Sequence, residues 1–150
     1  MTVRIGDSLP PRDVPSVDAE KMKTMAALLS DSNPIHWDAE AVRAAGLGDR
    51  PVNQGPSNMA YVLDMVSSWA GGYDRLRRVR LRFTGNVFAG DHVRASGTVA
   101  DVRREDGETV TECDVRLDVV GGGTVLSGTA TVAGEPAEPT EPAEPVDPAE

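Results

Sequence analysis

Apolar residues in the first half of the chain recur at helical spacing. A first stripe follows the i, i+3, i+4, i+7 pattern of a buried helical face and consists of Met22, Met25, Ala26 and Leu29. A second helix is predicted after Asp38, with its end at Gly46. A third helix, from Pro56 to about Ala70, has the broadest apolar face and is therefore the candidate central helix of the core.

From Arg77 onward the helical period gives way to the alternation of strands. Four runs alternate apolar and polar residues, over about 77–83, 93–99, 111–119 and 125–132. Turn residues separate them, including Asp106-Gly107 and the three glycines 121–123. Consecutive strands joined by short turns form an antiparallel sheet, so helices followed by such a sheet predict a single α+β domain over residues 1–133.

The composition changes abruptly at Gly134. The chain has 24 acids and 15 bases, a net charge of −9, and residues 135–150 contain six of the acids and no base. Proline recurs there at every third position with an acid before it, the period of polyproline II. Few apolar groups offset the entropy of ordering, so residues 134–150 are predicted to be a disordered acidic tail. We interpret it as a solubilising appendage, with docking to a basic partner as the alternative.

Charge and cysteine content exclude several classes of protein. The acidic balance argues against nucleic-acid binding, which needs a basic face. No run approaches the ~20 apolar residues that span a bilayer, and no signal-peptide pattern opens the chain. The single cysteine, Cys113, allows no intrachain disulfide, so we expect a cytoplasmic protein without a membrane partner. Cys113 falls on an apolar strand face, which predicts a core residue and not a nucleophile. With two histidines, no Cys/His zinc site is expected within one chain.

The segment between the first two predicted helices carries the candidate chemistry. Its sequence is Ser30-Asp31-Ser32-Asn33-Pro34-Ile35-His36-Trp37-Asp38. Residues five apart point about 140° from each other on a continuous helix, whereas a turn at Asn33-Pro34 can bring Asp31 and His36 to one cavity. A carboxylate and an imidazole placed together can hold a water molecule and move its proton. An isolated pair of this kind is more often a loop cap and a core histidine, but the intervening turn favours the chemical interpretation.

The motif Asp-x-Asn-Pro-Ile-His-x-Asp resembles the signature of the MaoC-like (R)-specific enoyl-CoA hydratases and dehydratases. The resemblance covers roughly residues 5–133, because residues 51–55 precede the long helix and residues 87–91 precede a strand as in that family. It implies the hot-dog fold, in which an antiparallel sheet wraps around a long central helix. It also implies (R)-specific hydration of 2-enoyl thioesters, or the reverse dehydration. The substrate partner would be an acyl-CoA or an acyl-carrier protein, with no cofactor beyond the substrate's own coenzyme A or phosphopantetheine.

The resemblance also assigns roles to individual residues. Asp31 and His36 would share the catalytic water, with Asp31 as the base toward it. The backbone N–H of Gly55 would stabilise the negative charge that develops on the thioester oxygen, and Asn33 would order the loop.

Three positions depart from the family pattern. The family usually has His where this chain has Gln54, and often Gly where it has Ser30. Many members carry a helix serine near the catalytic histidine, where this chain has Leu63; the candidate substitutes are Ser57, Asn58, Ser67 and Ser68. Gln54 and Ser57 are therefore candidate substrate-binding residues.

Arg78, Arg80 and Arg82 share one face of the first predicted strand. We interpret that face as the solvated outer side of the sheet. The alternative is contact with the phosphates of coenzyme A or phosphopantetheine, or docking to an acidic carrier protein, which makes the three arginines candidate substrate-binding residues. His92 has no partner motif and is predicted to lie on the surface, and Trp37 is predicted to pack.

Other functions stay open beside hydration. The same site is compatible with conjugate addition of another nucleophile or with dehydration on a carrier protein. A non-catalytic partner subunit of a hot-dog heterodimer is less favoured, because it would be expected to lose Asp31 or His36. A hot-dog thioesterase usually uses a carboxylate elsewhere on the central helix, where only Asp64 is available. Exposed sheet edges and the family pattern predict a homodimer.

Overall fold

The computed structural model describes residues 2–134 and 136, so the disorder predicted for the acidic tail lies outside the described residues. Within them, five antiparallel strands form one sheet in the order β1-β3-β4-β5-β2. The strands are β1 (Arg12–Val14), β2 (Leu76–Phe83), β3 (Val93–Glu105), β4 (Glu108–Val119) and β5 (Thr124–Ala133). The helices are α1 (Ala19–Leu29), α2 (Ala39–Ala44) and α3 (Gly55–Ala70), with 3₁₀ turns at Pro34–His36 and Tyr73–Arg75. The predicted α+β class is confirmed, while the domain boundary at residue 133 stays a prediction.

Helix α3 lies at the centre of the core. Its buried face contains Val62, Met65, Val66 and Ala70. These side chains form one cluster with the inward residues of β3, β4 and β5. In β3 burial alternates strictly from Val93 to Val99, as expected for a strand with one face on the core and one in solvent. The sheet therefore wraps around the long helix, as the sequence pattern predicts.

The limits of α3 follow from its terminal residues. Gly55 and Pro56 open the helix, and Gly71 ends it with a left-handed φ of 91°. Gln54, at the N-cap, makes no side-chain capping hydrogen bond. The first N–H groups of an α-helix have no intrahelical acceptor, so this helix start presents donors to its surroundings.

Two features of the first half differ from the prediction. Strand β1 was not predicted, because three residues are too short to show an alternating pattern. The prediction that Leu29 is buried was wrong, since its side chain is 44% exposed. The buried seam of α1 consists of Met22 and Ala26, one turn apart, and the last turn of the helix extends beyond it.

Ser30 ends α1 in the left-handed region, with φ 53° and ψ 36°. The Asp31 N–H then donates to the carbonyl oxygen of Ala26 over 2.9 Å, which is the long hydrogen bond of a Schellman motif. This turn directs Asp31 away from the helix axis. A side chain in this conformation is strained by its Cβ, and glycine is not.

Replacing Ser30 with glycine is expected to raise the free energy of unfolding by about 0.5–1 kcal/mol. Glycine removes the Cβ strain, and its greater freedom in the unfolded chain offsets part of the gain. Urea unfolding followed by circular dichroism measures the change. The matched control is Ser32→Gly, because Ser32 is exposed and not in the left-handed region, so that variant should lose stability. A similar loss of stability in both variants would contradict the left-handed conformation of Ser30.

Candidate active site

Two overlapping side-chain turns fold the loop that follows α1. Asp31 Oδ1 accepts a hydrogen bond from the Asn33 N–H over 3.0 Å. Asn33 Oδ1 in turn accepts from the Ile35 N–H over 3.3 Å and caps the 3₁₀ turn that begins at Pro34. Asp and Asn favour such local turns because their short side chains reach the backbone two residues ahead. Asn33 therefore orders this loop.

The folded loop brings Asp31 and His36 together, as the motif predicts. Asp31 Oδ2 lies 3.2 Å from His36 Nε2. The His36 side chain is buried, with 10% of its surface exposed, whereas 32% of the Asp31 side chain is exposed. The carboxylate uses Oδ1 for the loop and keeps Oδ2 for the histidine, so one residue both shapes the loop and faces the imidazole.

The other ring nitrogen of His36 fixes the tautomer. Nδ1 lies 2.6 Å from the carbonyl oxygen of Val52. A carbonyl oxygen only accepts hydrogen bonds, so Nδ1 carries a proton and Nε2 of the neutral ring is an acceptor. Val52 also donates its N–H to the carbonyl oxygen of Ile35 over 3.0 Å. Val52 therefore holds this part of the loop twice, through the backbone of Ile35 and through the ring of His36.

Residues 51–53 form an anchor segment that is held in turn by residues 87–89. Val52 pairs with Phe88 in an antiparallel bridge. The Asn53 N–H donates to the carbonyl oxygen of Val87 over 2.7 Å, and the Ala89 N–H donates to that of Pro51 over 2.9 Å. The position of the Val52 carbonyl oxygen, and with it the position of the imidazole, depends on these hydrogen bonds.

Asp91 and Arg50 clasp the turn that carries Phe88. Asp91 Oδ2 accepts from the Phe88 N–H over 2.9 Å, and Asp91 Oδ1 lies 2.7 Å from Arg50 Nη1. The same Nη1 donates to the carbonyl oxygen of Ala89 over 2.8 Å, and the guanidinium lies 5.3 Å from the centre of the Phe88 ring. The Asp91 side chain is only 12% exposed. No spacing in the sequence indicates this clasp, although the Gly90-Asp91 pair before β3 belongs to the pattern that carries the resemblance.

The anchor segment leads directly into α3. Val52, whose carbonyl oxygen holds the imidazole, is three residues before Gly55, a span of at most about 10 Å of chain. Phe83 stands beside this start, since a Cβ added at Gly55 would lie 3.5 Å from its Cε1 atom. Phe83 is 49% exposed at the end of β2. The helix N-terminus, the aromatic ring and the Asp/His pair thus belong to one region of the fold.

Comparisons with known proteins identify the family of the chain. The model of the MaoC like domain matches residues 2–120. The chain belongs to the MaoC-like domain family. A UPF0336 protein of Leifsonia xyli subsp. xyli is 29% identical over 137 residues, which are 85% of this chain and 90% of that protein.

Solved structures show that this MaoC-like chain has the hot-dog fold. The (R)-hydratase from A. caviae involved in PHA biosynthesis superposes with a TM-score of 0.76 at 23% identity, over 87% of this chain and 96% of that one. The ChsH1-ChsH2 complex from Mycobacterium tuberculosis gives a TM-score of 0.75 at 22% identity, over 90% of this chain and 100% of that one. No helix within the part of the chain that the structure describes is long and apolar enough to cross a membrane.

The other candidate residues of the MaoC-like domain lie at the start of α3. Gln54 is 1% exposed and its Nε2 donates to the Met22 carbonyl oxygen over 2.8 Å, so it ties α1 to the start of α3. Its Oε1 is buried without a partner among the residues described. Ser57 is half-buried in the first turn of α3. Asn58 is buried and accepts from Asn53 Nδ2 over 2.7 Å, so it supports the anchor segment from the other side.

The three arginines of β2 do not reach the pair. Side chains alternate between the two faces of a strand. Val79 and Leu81 are half-buried and share one face, whereas Arg78, Arg80 and Arg82 are all exposed on the other. The face that carries the arginines is therefore the outer face of the sheet, as the sequence analysis interpreted it.

Trp37 lies beside the pair, although the sequence predicted a packing role. It is 39% exposed and lines an open groove together with Ala26, Ala27 and Asp31. Lys23, Ser30 and Ser32 complete its lining, and most of the lining surface is apolar. Residue spacing alone does not predict this apolar surface next to Asp31, because the surface forms only when α1 packs against the loop.

Asp64, the carboxylate on α3, is engaged elsewhere. It accepts a hydrogen bond from the Tyr73 hydroxyl and lies 3.4 Å from Arg12 Nη2. The hydrogen bond to Asp64 raises the pKa of Tyr73, and burial adds to the effect. Both carboxylate oxygens of Asp64 thus have partners of their own, which disfavours the thioesterase alternative.

His92 lies at the surface, as predicted, and has partners that the sequence did not reveal. Its Nε2 lies 2.8 Å from Asp13 Oδ1, and Arg94 binds the same carboxylate over 2.9 Å. The hydrogen bond from Arg94, followed by that from His92, lowers the pKa of Asp13. This cluster joins β1 to the start of β3.

Cys113 is expected to resist alkylation in the folded protein. It is completely buried in β4, and burial, with smaller contributions from Asp114 and Glu112, raises the pKa of its thiol to about 12. The reactive thiolate is then roughly one part in ten thousand at mildly alkaline pH. Iodoacetamide labelling read by mass spectrometry should give no product in buffer and full labelling in urea. Rapid labelling in buffer would contradict the predicted core role.

Proposed function

We propose that this MaoC-like protein hydrates 2-enoyl thioesters with (R) specificity and catalyses the reverse dehydration. The observation that carries the proposal is the pairing of Asp31 Oδ2 with His36 Nε2, 3.2 Å apart. The Val52 carbonyl oxygen holds the ring proton on Nδ1. Two neighbouring acceptors are best satisfied by a water molecule that donates a hydrogen bond to each and turns its lone pair toward the substrate.

The proposed reaction adds this water across the double bond. As its oxygen bonds to the β-carbon, the pair takes one proton from it, and the pair returns one proton to the α-carbon. With Nδ1 engaged by Val52, only Nε2 of His36 exchanges protons with substrate. Both new bonds are made from the side on which the pair lies, which accounts for a single stereochemical course.

The negative charge of the intermediate builds up on the thioester oxygen. Gly55 begins the 16-residue helix α3, and its N–H has no intrahelical acceptor. The helix start also carries a partial positive charge. We assign the Gly55 N–H as the donor that stabilises this oxygen; removing one such donor typically costs about 10²–10³-fold in rate. The apolar groove at Trp37 is the proposed path of the acyl chain.

The proposed assembly is a homodimer. Among the described residues, strand β2 pairs on one side only, with β5, and β1 is an edge of only three residues, so the sheet has open edges there. The alternative is a heteromer, as in the ChsH1-ChsH2 complex. Light scattering at micromolar concentration distinguishes a dimer of 15.9 kDa chains from a monomer, and a monomeric mass contradicts the homodimer.

The test of the proposed function is an enoyl-thioester hydration assay. The purified chain is mixed with crotonyl-CoA, with a longer 2-enoyl-CoA and with the same acyl groups on a carrier protein. Loss of ultraviolet absorbance of the conjugated thioester reports hydration, and chiral analysis of the product should give the (R)-3-hydroxyacyl group. Release of free thiol, followed in parallel, would point to thioester hydrolysis. A folded protein without turnover on any of these substrates would refute the proposed activity.

A further inference from the structure

Three arginines on β2 have no partner within the described part of the chain. The guanidinium groups of Arg78, Arg80 and Arg82, which we name the arginine ladder, make no hydrogen bond and no ion pair there. Most other arginines of the fold are paired with acids, namely Arg12, Arg50, Arg77, Arg94, Arg103 and Arg116. In a chain of net charge −9, three outward arginines at alternate positions of one strand without acidic partners are an exception. Such a surface favours binding of an anionic group.

The register of the sheet gives the ladder a defined shape. Each arginine lies opposite a hydroxyl residue of β5, in the pairs Arg78–Thr131, Arg80–Thr129 and Arg82–Ser127. One strand further in, Glu112, Asp114 and Arg116 of β4 face the same side, and Arg116 is paired with Asp118. Two-residue steps along a strand are about 6.7 Å, so the ladder is about 13 Å long. The unpaired positive strip is therefore narrow and follows the edge of the sheet, with acids inward of Arg78 and Arg80.

We propose that the ladder binds the acidic segment 135–150 of the same chain. This segment starts next to the ladder, because β5 ends at Ala133 and pairs with β2 through Val132 and Leu76. Gly134 itself lies against the Arg75 guanidinium, at the end of β2 from which the ladder runs. The acidic segment begins at the next residue.

The length and charge of the segment match the ladder. Sixteen residues reach at most about 55 Å, several times the length of the ladder. Acids recur at every third position, and no base interrupts them. Glu138, Glu141 and Glu144 span about 20 Å of extended chain, and long arginine side chains bridge the difference from 13 Å.

Covalent attachment makes this contact more favourable than its individual ion pairs. An exposed ion pair contributes about 1 kcal/mol or less. Attachment close to the ladder raises the effective concentration of the segment to the millimolar range, so several weak pairs act together. The inward acids Glu112 and Asp114 repel the segment from the centre of the sheet and keep it on β2. The proposal does not depend on the proposed hydration.

Paramagnetic relaxation tests the contact in the full chain. The variant Ala143→Cys carries a nitroxide label on the segment, while the buried Cys113 stays unlabelled. In ¹⁵N spectra we expect the amide signals of Leu76–Phe83 to lose at least half of their intensity relative to the reduced label. In about 1 M NaCl, where the Debye length is ~3 Å, the intensity should return.

Two triple variants decide whether the ladder is the binding surface. Substituting Gln for Arg78, Arg80 and Arg82 should abolish the broadening. Substituting Gln for Arg4, Lys21 and Arg43 removes the same charge from other exposed positions and should leave it intact. Equal loss in both variants, absent broadening, or broadening spread over the whole molecule would overturn the proposal.

Other occupants give distinct results. Broadening that appears only when label and ¹⁵N are in different chains would assign the ladder to the segment of a second copy. Shifts of the Leu76–Phe83 signals on adding coenzyme A, without broadening by the label, would assign it to substrate phosphates. Either result overturns docking within one chain.

Discussion

Replacing Asp31 with asparagine is expected to lower kcat/KM for 2-enoyl-thioester hydration by about 10³-fold, within the range of general acid–base catalysis. Asparagine can still accept the hydrogen bond from the Asn33 N–H, so the loop keeps its shape. Its amide group, however, would donate to His36 Nε2 and satisfy the acceptor that the water requires. The loss should appear in kcat, because the proton transfers occur after substrate binding.

The matched control is Asp38→Asn. Asp38 caps α2 with its side chain, as Asp31 caps the loop, and is two residues from His36. It makes the same change of charge near the site without facing the imidazole. Steady-state kinetics of both variants, with circular dichroism for folding, should separate them by two orders of magnitude or more. Similar activities of the two variants would remove Asp31 from the proposed mechanism.

Replacing Asp91 with alanine is expected to lower the free energy of unfolding by about 2 kcal/mol and kcat by at least tenfold. The Phe88 N–H loses its acceptor, and Arg50 loses the carboxylate that places it over the ring. A fully buried donor without a partner costs about 1–3 kcal/mol, and the Phe88 N–H is part-buried. Phe88 pairs with Val52, whose carbonyl oxygen holds His36 Nδ1, so the imidazole shifts with the turn. Misplacement of a catalytic group by about 1 Å can cost 10²-fold in rate.

Two further variants distinguish positioning from general destabilisation. Asp91→Asn retains an acceptor for the Phe88 N–H and should recover most of the stability and part of kcat. Glu105→Ala breaks the exposed ion pair with Arg103 and should cost less than 1 kcal/mol, with kcat unchanged. Kinetics are measured well below the unfolding transition, so that all variants are folded. If Asp91→Ala retained full kcat despite lower stability, the clasp would be a structural feature only.

The central helix and the Asp/His loop were predictable because their signals are local. Pro56 and Gly71 mark the two ends of α3, and Asn33-Pro34 marks the turn. The alternation of apolar residues likewise predicted four of the strands. Strand β1 gave no such signal, since its three residues include Arg12 and Asp13.

The features that hold the site could not be predicted from local pattern. His36 and Val52 are 16 residues apart, and Arg50 and Asp91 are 41 apart. Neither pair has a spacing that periodicity detects, because the contact exists only after the sheet has closed around α3. The exposure of Leu29 depends in the same way on which elements cover α1. The support of His36 and the exposure of Leu29 therefore depend on long-range packing, which residue spacing does not indicate.

The long-range support of His36 has a consequence for how activity is lost. The imidazole is held through residues 51–53 and 87–91, whose backbones are joined to each other by two hydrogen bonds and one bridge and not by a long strand ladder. Such segments open locally at a lower free energy than the strands of the core. Amide hydrogen exchange should be faster at Asn53 and Ala89 than at Val115 in the middle of β4. On heating, the arrangement of Asp31 and His36 should therefore be lost before the sheet unfolds. Hydration activity should fall at a temperature several degrees below the unfolding transition of the sheet.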